Sequence, residues 1–335
     1  MSDNFDKNHS EAVERSAPRR KRGCIGICKR FWWVCLIILV IVVLVVVLPI
    51  VFVAYPRLAQ RDVNRSTLDV TNMDITNPGP ESFRIKLRQV IGTKSAFHPK
   101  LDGFPAQVFL DGSSTAFLHL NVPPVKAVNG AVAEIEEDVN IRSANAFTDF
   151  ALAVMKKDSV GMKISGKTML KLGALRKTPV NYDKVVTLKG LNGLKGFNVT
   201  QFSLILPARA DGTNMRGNVF IPNPSVMGLT MGNLTLNLSV DGQPIGQSFM
   251  NDVVIRPGDN NIEMTSKVNQ TIVIGLIAGQ NAKYKNGILP IGIVGESATY
   301  NGKNLPYFTE ALKSNTLNVE LNVGSALGGL TGRKS

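Results

Sequence analysis

Cysteine is confined to Cys24, Cys28 and Cys35, and residues 36–335 hold none. A fold built from those residues has no disulfide to staple it and must rest on a hydrophobic core, which a chain of this length can bury. Histidine is nearly as scarce: beyond residue 56 only His98 and His119 occur. A Ser-His-Asp relay would need one of them beside an acid. His119 sits in HLNV, where it reads as a strand-face side chain, and His98 falls in a loop. No Asp-x-Asp pair occurs anywhere, and this removes the metal grip of nucleotide-sugar transferases. Cys24 and Cys28 have metal-like spacing but no further ligands to complete a set of four. The chain is therefore expected to be non-enzymatic, with no metal and no cofactor. Acidic residues are also few, 25 against 38 lysines and arginines, for a net charge of +13.

What the sequence does have is a long uncharged run. Residues 31–56, FWWVCLIILVIVVLVVVLPIVFVAYP, carry no charge, and at about 1.5 Å per residue they cross a ~30 Å hydrocarbon layer. Trp32, Trp33 and Tyr55 stand where interfacial aromatics are favoured. A cleaved signal peptide has a shorter apolar stretch followed by a small-residue site, so the run reads as a retained signal-anchor. Arg15, Arg19, Arg20, Lys21, Arg22, Lys29 and Arg30 precede it closely, whereas Arg57, Arg61 and Arg65 follow. The excess on the N-terminal side predicts type II topology: a disordered basic cytosolic tail at 1–30 and a lumenal or external portion from residue 57. That topology makes nucleic acid an improbable partner for the exported part. Cys24 and Cys28 have the juxtamembrane placement of palmitoylation sites, and the RRKR cluster suits anionic lipid headgroups.

Past the membrane, short apolar stretches alternate with Gly, Asn, Asp and Pro, the texture of a β-rich protein. In SFRIKLRQV (82–90), Phe83, Ile85, Leu87 and Gln89 alternate with Arg84, Lys86 and Arg88. In LTLNLSVDG (234–242), strict alternation ends at the turn Asp241-Gly242. Landmarks recur. Asp111-Gly112 precedes Asp241-Gly242 by 130 residues, and Gly166 of MKISGK precedes Gly295 of IGIVGE by 129. Asn77-Pro78 precedes Asn223-Pro224 by 146, and an insertion at 91–105 in the first copy accounts for the difference. We therefore expect two tandem modules, 57–190 and 191–325, followed by a tail at 326–335. A helix is expected at 143–157, capped by Ser143, and another at 305–314; residues 265–280 fit either helix or strand.

The segment NVFIPNPSVMGLTMGNLTLNLSVDGQPIGQSFMNDVVIRPGDNNIEM (218–264) resembles the fungal single-span vacuolar membrane proteins with late-embryogenesis-abundant group 2-like lumenal domains. It is also similar to plant harpin-induced-like membrane proteins and an animal lysosomal transmembrane protein. The shared feature is an Asn-Pro turn after a strand, matched by Asn223-Pro224 and more loosely by Asn77-Pro78. The resemblance implies an all-β to α+β architecture: one transmembrane helix, then two immunoglobulin-like β-sandwich modules, each with a short packed helix. It further implies a vacuolar membrane, with the plasma membrane as the alternative, and lipid binding or transfer by the lumenal modules, with an apolar groove between sheet and helix as the site. A regulatory scaffold or sensor linking the lumen to cytosolic signalling or autophagy control is the alternative function, and a lumenal enzyme is the least favoured reading.

Other residues bear on chemistry. Glu134, Glu136, Glu137 and Asp138 bring several hard oxygen ligands together but lack the glycine of a calcium loop, and read as a solvated strand or turn. A basic run contains Lys156, Lys157, Lys163, Lys167, Lys171, Arg176, Lys177, Lys184, Lys189 and Lys195 against Asp158 and Asp183. It reads as a wet strand face, or as a patch for anionic headgroups or polyphosphate. N-glycan acceptors stand at Asn64, Asn198, Asn233, Asn237 and Asn269, whereas Pro224 excludes Asn223.

Overall fold

The computed structural model describes residues 32–95 and 97–330. The cytosolic-tail expectation, with Cys24 and Cys28, lies outside the described residues, as do residues 331–335. One N-terminal apolar helix precedes a sandwich-like β body with a few short helices. The helix comprises α1 (Trp32–Pro49), a π-helical turn (Ile50–Ala54) and α2 (Tyr55–Arg65). Among the described residues, Trp32–Arg65 is the one helix long and apolar enough to cross a membrane. It does not stop at residue 56 as expected. The helix continues through Pro49 and Pro56 to Arg65, with the π-helical turn lying between the two prolines.

The body begins with β1 (Thr67–Thr76), β2 (Ser82–Gly92), β3 (Lys100–Leu101), β4 (Phe104–Leu110), β5 (Ala116–Val122), β6 (Val125–Lys126) and β7 (Ala131–Asn140). Helix α3 (Ala144–Lys156), β8 (Ser159–Lys171) and β9 (Thr178–Lys189) complete its first half. The second half holds β10 (Asn198–Leu204), β11 (Met215–Asn223), β12 (Met227–Val240), β13 (Gln243–Ile255) and β14 (Gly258–Val268). It continues through α4 (Gln270–Ile277), β15 (Ile288–Tyr300), β16 (Lys303–Asn304), α5 (Pro306–Lys313), β17 (Thr316–Asn322) and α6 (Val323–Leu330). Residues 265–280 thus divide into the end of a strand and a helix, and helix α6 occupies the first five residues of the expected tail.

Eleven strands form one sheet, ordered β10-β11-β14-β13-β12-β1-β2-β7, with β15 on β12 and β16 and β17 on β15. Six form the other, ordered β5-β4-β8-β3-β6, with β9 on β8. The two halves join edge to edge through the parallel pair β1–β12, Met73 opposite Met227 and Ile75 opposite Leu229. Pairing repeats between the halves. The β4–β5 hairpin turns at Asp111-Gly112 and the β12–β13 hairpin at Asp241-Gly242, both glycines having positive φ (82° and 78°). Ala106 then lies opposite Gly166 in β4–β8 as Leu236 lies opposite Gly295 in β12–β15, and β8 pairs with β9 as β15 pairs with β17. Residues 93–103 separate β2 from β4, whereas β12 runs unbroken through the corresponding stretch.

Period-two burial accounts for the strands and 3.6-residue burial for the helices. Ser143 caps α3, accepting from the Ala146 N–H at 3.3 Å, and the helix buries Phe147, Phe150 and Val154. Phe147 stacks on Phe83 at 5.2 Å between centroids and meets Tyr307 of α5 edge-on at 4.8 Å. Helices from both halves therefore pack against one another on a shared core.

Candidate functional site

A cavity of about 40 Å³ lies inside the first half, lined by Gln89, Ile91, Leu101, Phe104, Leu170 and Tyr182 and by Val63 and Ser66 at the end of α2. Its volume is on the scale of a single water. The alternation that turns Phe83, Ile85 and Leu87 inward carries Gln89 to the same face, where it is 3% exposed. Its Nε2 has no hydrogen-bond partner, although a buried amide left unpaired costs about 1–3 kcal/mol. Tyr182 projects inward from β9, its ring 5.3 Å from that of Phe104, and burial pushes its phenol up to about 12. The result is a mainly apolar pocket with polar groups at its rim, among them Asp62, Ser66, Thr93 and Ser95.

The cover over this cavity is fastened by polar contacts. The Gln60 side chain accepts from the Asn181 N–H and donates to the Asn181 carbonyl, both at 2.8 Å, so it pairs with β9 as a strand would. Ser95 donates to Asp62 at 2.8 Å. Lys184 donates to the carbonyls of Val63, Asn64 and Ser66, groups that the end of a helix leaves open. Its ammonium is buried and desolvation lowers its pKa. The basic run counted Lys184 among solvent-facing charges; it lies on the inner face with Val180, Val186 and Leu188 because it shares their parity in β9.

A second cavity of about 40 Å³ lies inside the second half, lined by Met215, Leu236, Leu238, Ile291 and other apolar residues with Ser248, and Val273 of α4 faces it. Between α3, α5 and the large sheet, where the sheet-helix groove was expected, the space is about 30 Å³ and is bounded by Phe147, Phe150, Met227 and Phe308.

Asn223 is buried at the β11–β12 corner; its Oδ1 accepts from the Ser225 N–H (3.0 Å) and Oγ (2.6 Å), and its Nδ2 donates to the Met227 carbonyl (2.7 Å). The other corner differs: Asn77 adopts φ 48°, and Gly79 N–H bonds the Ser82 carbonyl at 2.7 Å. The acidic cluster lies on β7 opposite β2, where Arg84 meets Glu136 and Asp138, Lys86 meets Glu136 and Arg88 meets Glu134. Glu137 points the other way and accepts from the Asn121 backbone and side chain. Among the described residues no cluster of His, Cys, Asp and Glu could hold a metal ion.

His119, Gln107, Ser165 and Asp183 share one row across β5, β4, β8 and β9. Ser165 donates to Asp183 at 2.6 Å, but Gln107 separates His119 from Ser165 by two strand spacings, roughly 10 Å. This row is no proton relay. Asn64, Asn198, Asn233, Asn237 and Asn269 are all exposed, and Asn269 also caps α4. Of the basic patch, Lys163, Lys167 and Lys171 share the outer face of β8, Lys156 and Lys157 end α3, and Arg176 and Lys177 lie in the β8–β9 connection. Sequence reasoning did not find Tyr182 as a cavity residue, and the alternation of β9 was the available signal.

Residues 115–238 match the family described as Protein of unknown function (DUF3712). This segment runs from just before β5 into β12 and so crosses Gly190-Leu191. No curated protein matches the chain. Among solved structures it is similar to red sea bream transglutaminase, at 8% identity and TM-score 0.22, over 75% of this chain and 30% of that one. It is also similar to a bacterial adhesin from Mobiluncus mulieris, at 9% identity and TM-score 0.19, over 69% of this chain and 81% of that one. A third likeness, to the periplasmic chaperone SfaE, has 10% identity and TM-score 0.18, over 76% of this chain and 98% of that one. At these scores the likenesses carry no argument about function.

Proposed function

We propose that this is a non-enzymatic, single-span membrane protein whose β body binds lipid in the first-half cavity. The observation that carries the reading is the buried, unpartnered Nε2 of Gln89 in a mainly apolar pocket that Tyr182 also lines. An ester carbonyl would accept from Gln89 while the acyl chain takes the place of the packed lining. The volume of about 40 Å³ is far below a drug-sized site of roughly 300–1,000 Å³, so entry requires α2 or residues 97–103 to move outward.

In this reading the body lies on the non-cytosolic side of a vacuolar membrane. The basic excess before the span and the exposure of all five N-glycan acceptors support the non-cytosolic placement, and the family resemblance suggests the vacuole. A photoreactive phospholipid analogue tests the site. Cross-links are expected on residues 62–68 and 89–104; labelling spread evenly over the surface contradicts it.

A further inference from the structure

The small sheet carries a row of like charges. In β6, β3 and β8, Lys126 lies directly opposite Lys100 and Lys100 directly opposite Lys171. Adjacent strands are about 4.8 Å apart and directly opposed residues share a face, so three lysines stand side by side. All three are exposed, and among the described residues none forms an ion pair. Nearby Lys177 is matched with Asp102 at 2.5 Å. The same face continues along β8 through Lys167 and Lys163.

The large sheet shows the opposite arrangement, since each basic residue of β2 faces an acid of β7. Like charges directly opposite one another are destabilising. A row of three, on a short and otherwise weakly held sheet edge, is relieved by an anion. Ammonium groups act as compact point charges that suit phosphate oxygens, and three over roughly 10 Å call for more than one phosphate.

We propose that Lys126, Lys100 and Lys171 bind a ligand bearing two or more phosphate groups, either a soluble polyphosphate or a phosphorylated lipid headgroup. This site is separate from the Gln89 cavity and needs no lipid within it.

The test uses the full chain in phosphatidylcholine nanodiscs. The probes are inorganic polyphosphate and vesicles of phosphatidylcholine carrying phosphatidylinositol bisphosphate. K100Q/K126Q/K171Q is expected to weaken binding at least about tenfold and to flatten the salt dependence by about three ions. The equal-charge control K267Q/K285Q/K303Q, at exposed lysines outside the basic run, should change binding less than about twofold, and K100R/K126R/K171R should retain it. The row variant should also melt higher than wild type without ligand, which separates lost binding from lost fold. Response to polyphosphate alone assigns a soluble source and response to vesicles alone a headgroup; either supports the site. Absence of binding to both probes, or equal losses in the row and control variants, overturns it.

Discussion

The hydroxyl of Tyr307 donates to the carbonyl oxygen of Gly79 at 3.0 Å. A helix of the second half thereby holds the Asn-Pro corner of the first. Removing the hydroxyl in Tyr307→Phe leaves that carbonyl short of a partner and should cost about 1–2 kcal/mol. Tyr307→Ala also empties the space against Phe147 and Phe308 and should cost about 3–5 kcal/mol. Urea unfolding read by both fluorescence and circular dichroism checks this. Separate transitions, with only one moved by the substitution, would show that the halves unfold independently.

The two Asn-Pro corners should respond differently. Asn223→Ala removes three buried hydrogen bonds and is expected to destabilise by about 2–4 kcal/mol. Asn77 is held at φ 48°, where glycine is at ease, so Asn77→Gly should change stability by less than about 1 kcal/mol. Equal losses at both positions would mean the corners are chemically alike.

Burial raises the pKa of the Tyr182 phenol from its ordinary 10.0 to about 12. The folded state then holds the proton more tightly than the unfolded chain. The associated stability is present in full below pH 10 and lost as pH rises through about 12, amounting to about 2–3 kcal/mol. Tyr182→Phe should remove this share of the alkaline loss, as read by denaturant midpoints across the range. An unchanged alkaline slope in the variant would place the titration elsewhere.

Lys184 fastens the end of α2 to β9. Lys184→Met is expected to remove charged hydrogen bonds from the carbonyls of Val63, Asn64 and Ser66 and to speed amide exchange in α2 by about tenfold or more. Exchange in β12 should change little by comparison. Uniform acceleration across the body would point to global destabilisation instead.

Much of this architecture is legible in the residues because one physical period governs each element. SFRIKLRQV shows both faces of β2, including the inward turn of Gln89, and Ser143 announces α3. The same parity in VNYDKVVTL places Lys184 inward, but a lysine is read as solvated unless its carbonyl partners are known. Those partners come from a helix about 120 residues earlier. Lys100 and Lys126 belong to two-residue strands with no period to detect, so their alignment with Lys171 exists only in the folded sheet. The acidic run on β7 is likewise explained by β2 across the ladder, a relationship that spacing along the chain does not carry.

The central claim is tested most directly by quantifying lipid extracted from the purified full chain, wild type beside Gln89→Leu. The substitution replaces an amide whose buried Nε2 is unpaired with an apolar group of similar size, so stability should rise by about 1 kcal/mol. Bound lipid should be near-stoichiometric in the wild type and fall about tenfold in the variant, the equivalent of one lost hydrogen bond. Wild-type protein carrying no more lipid than a detergent-matched control, or a variant that retains it fully, contradicts the account.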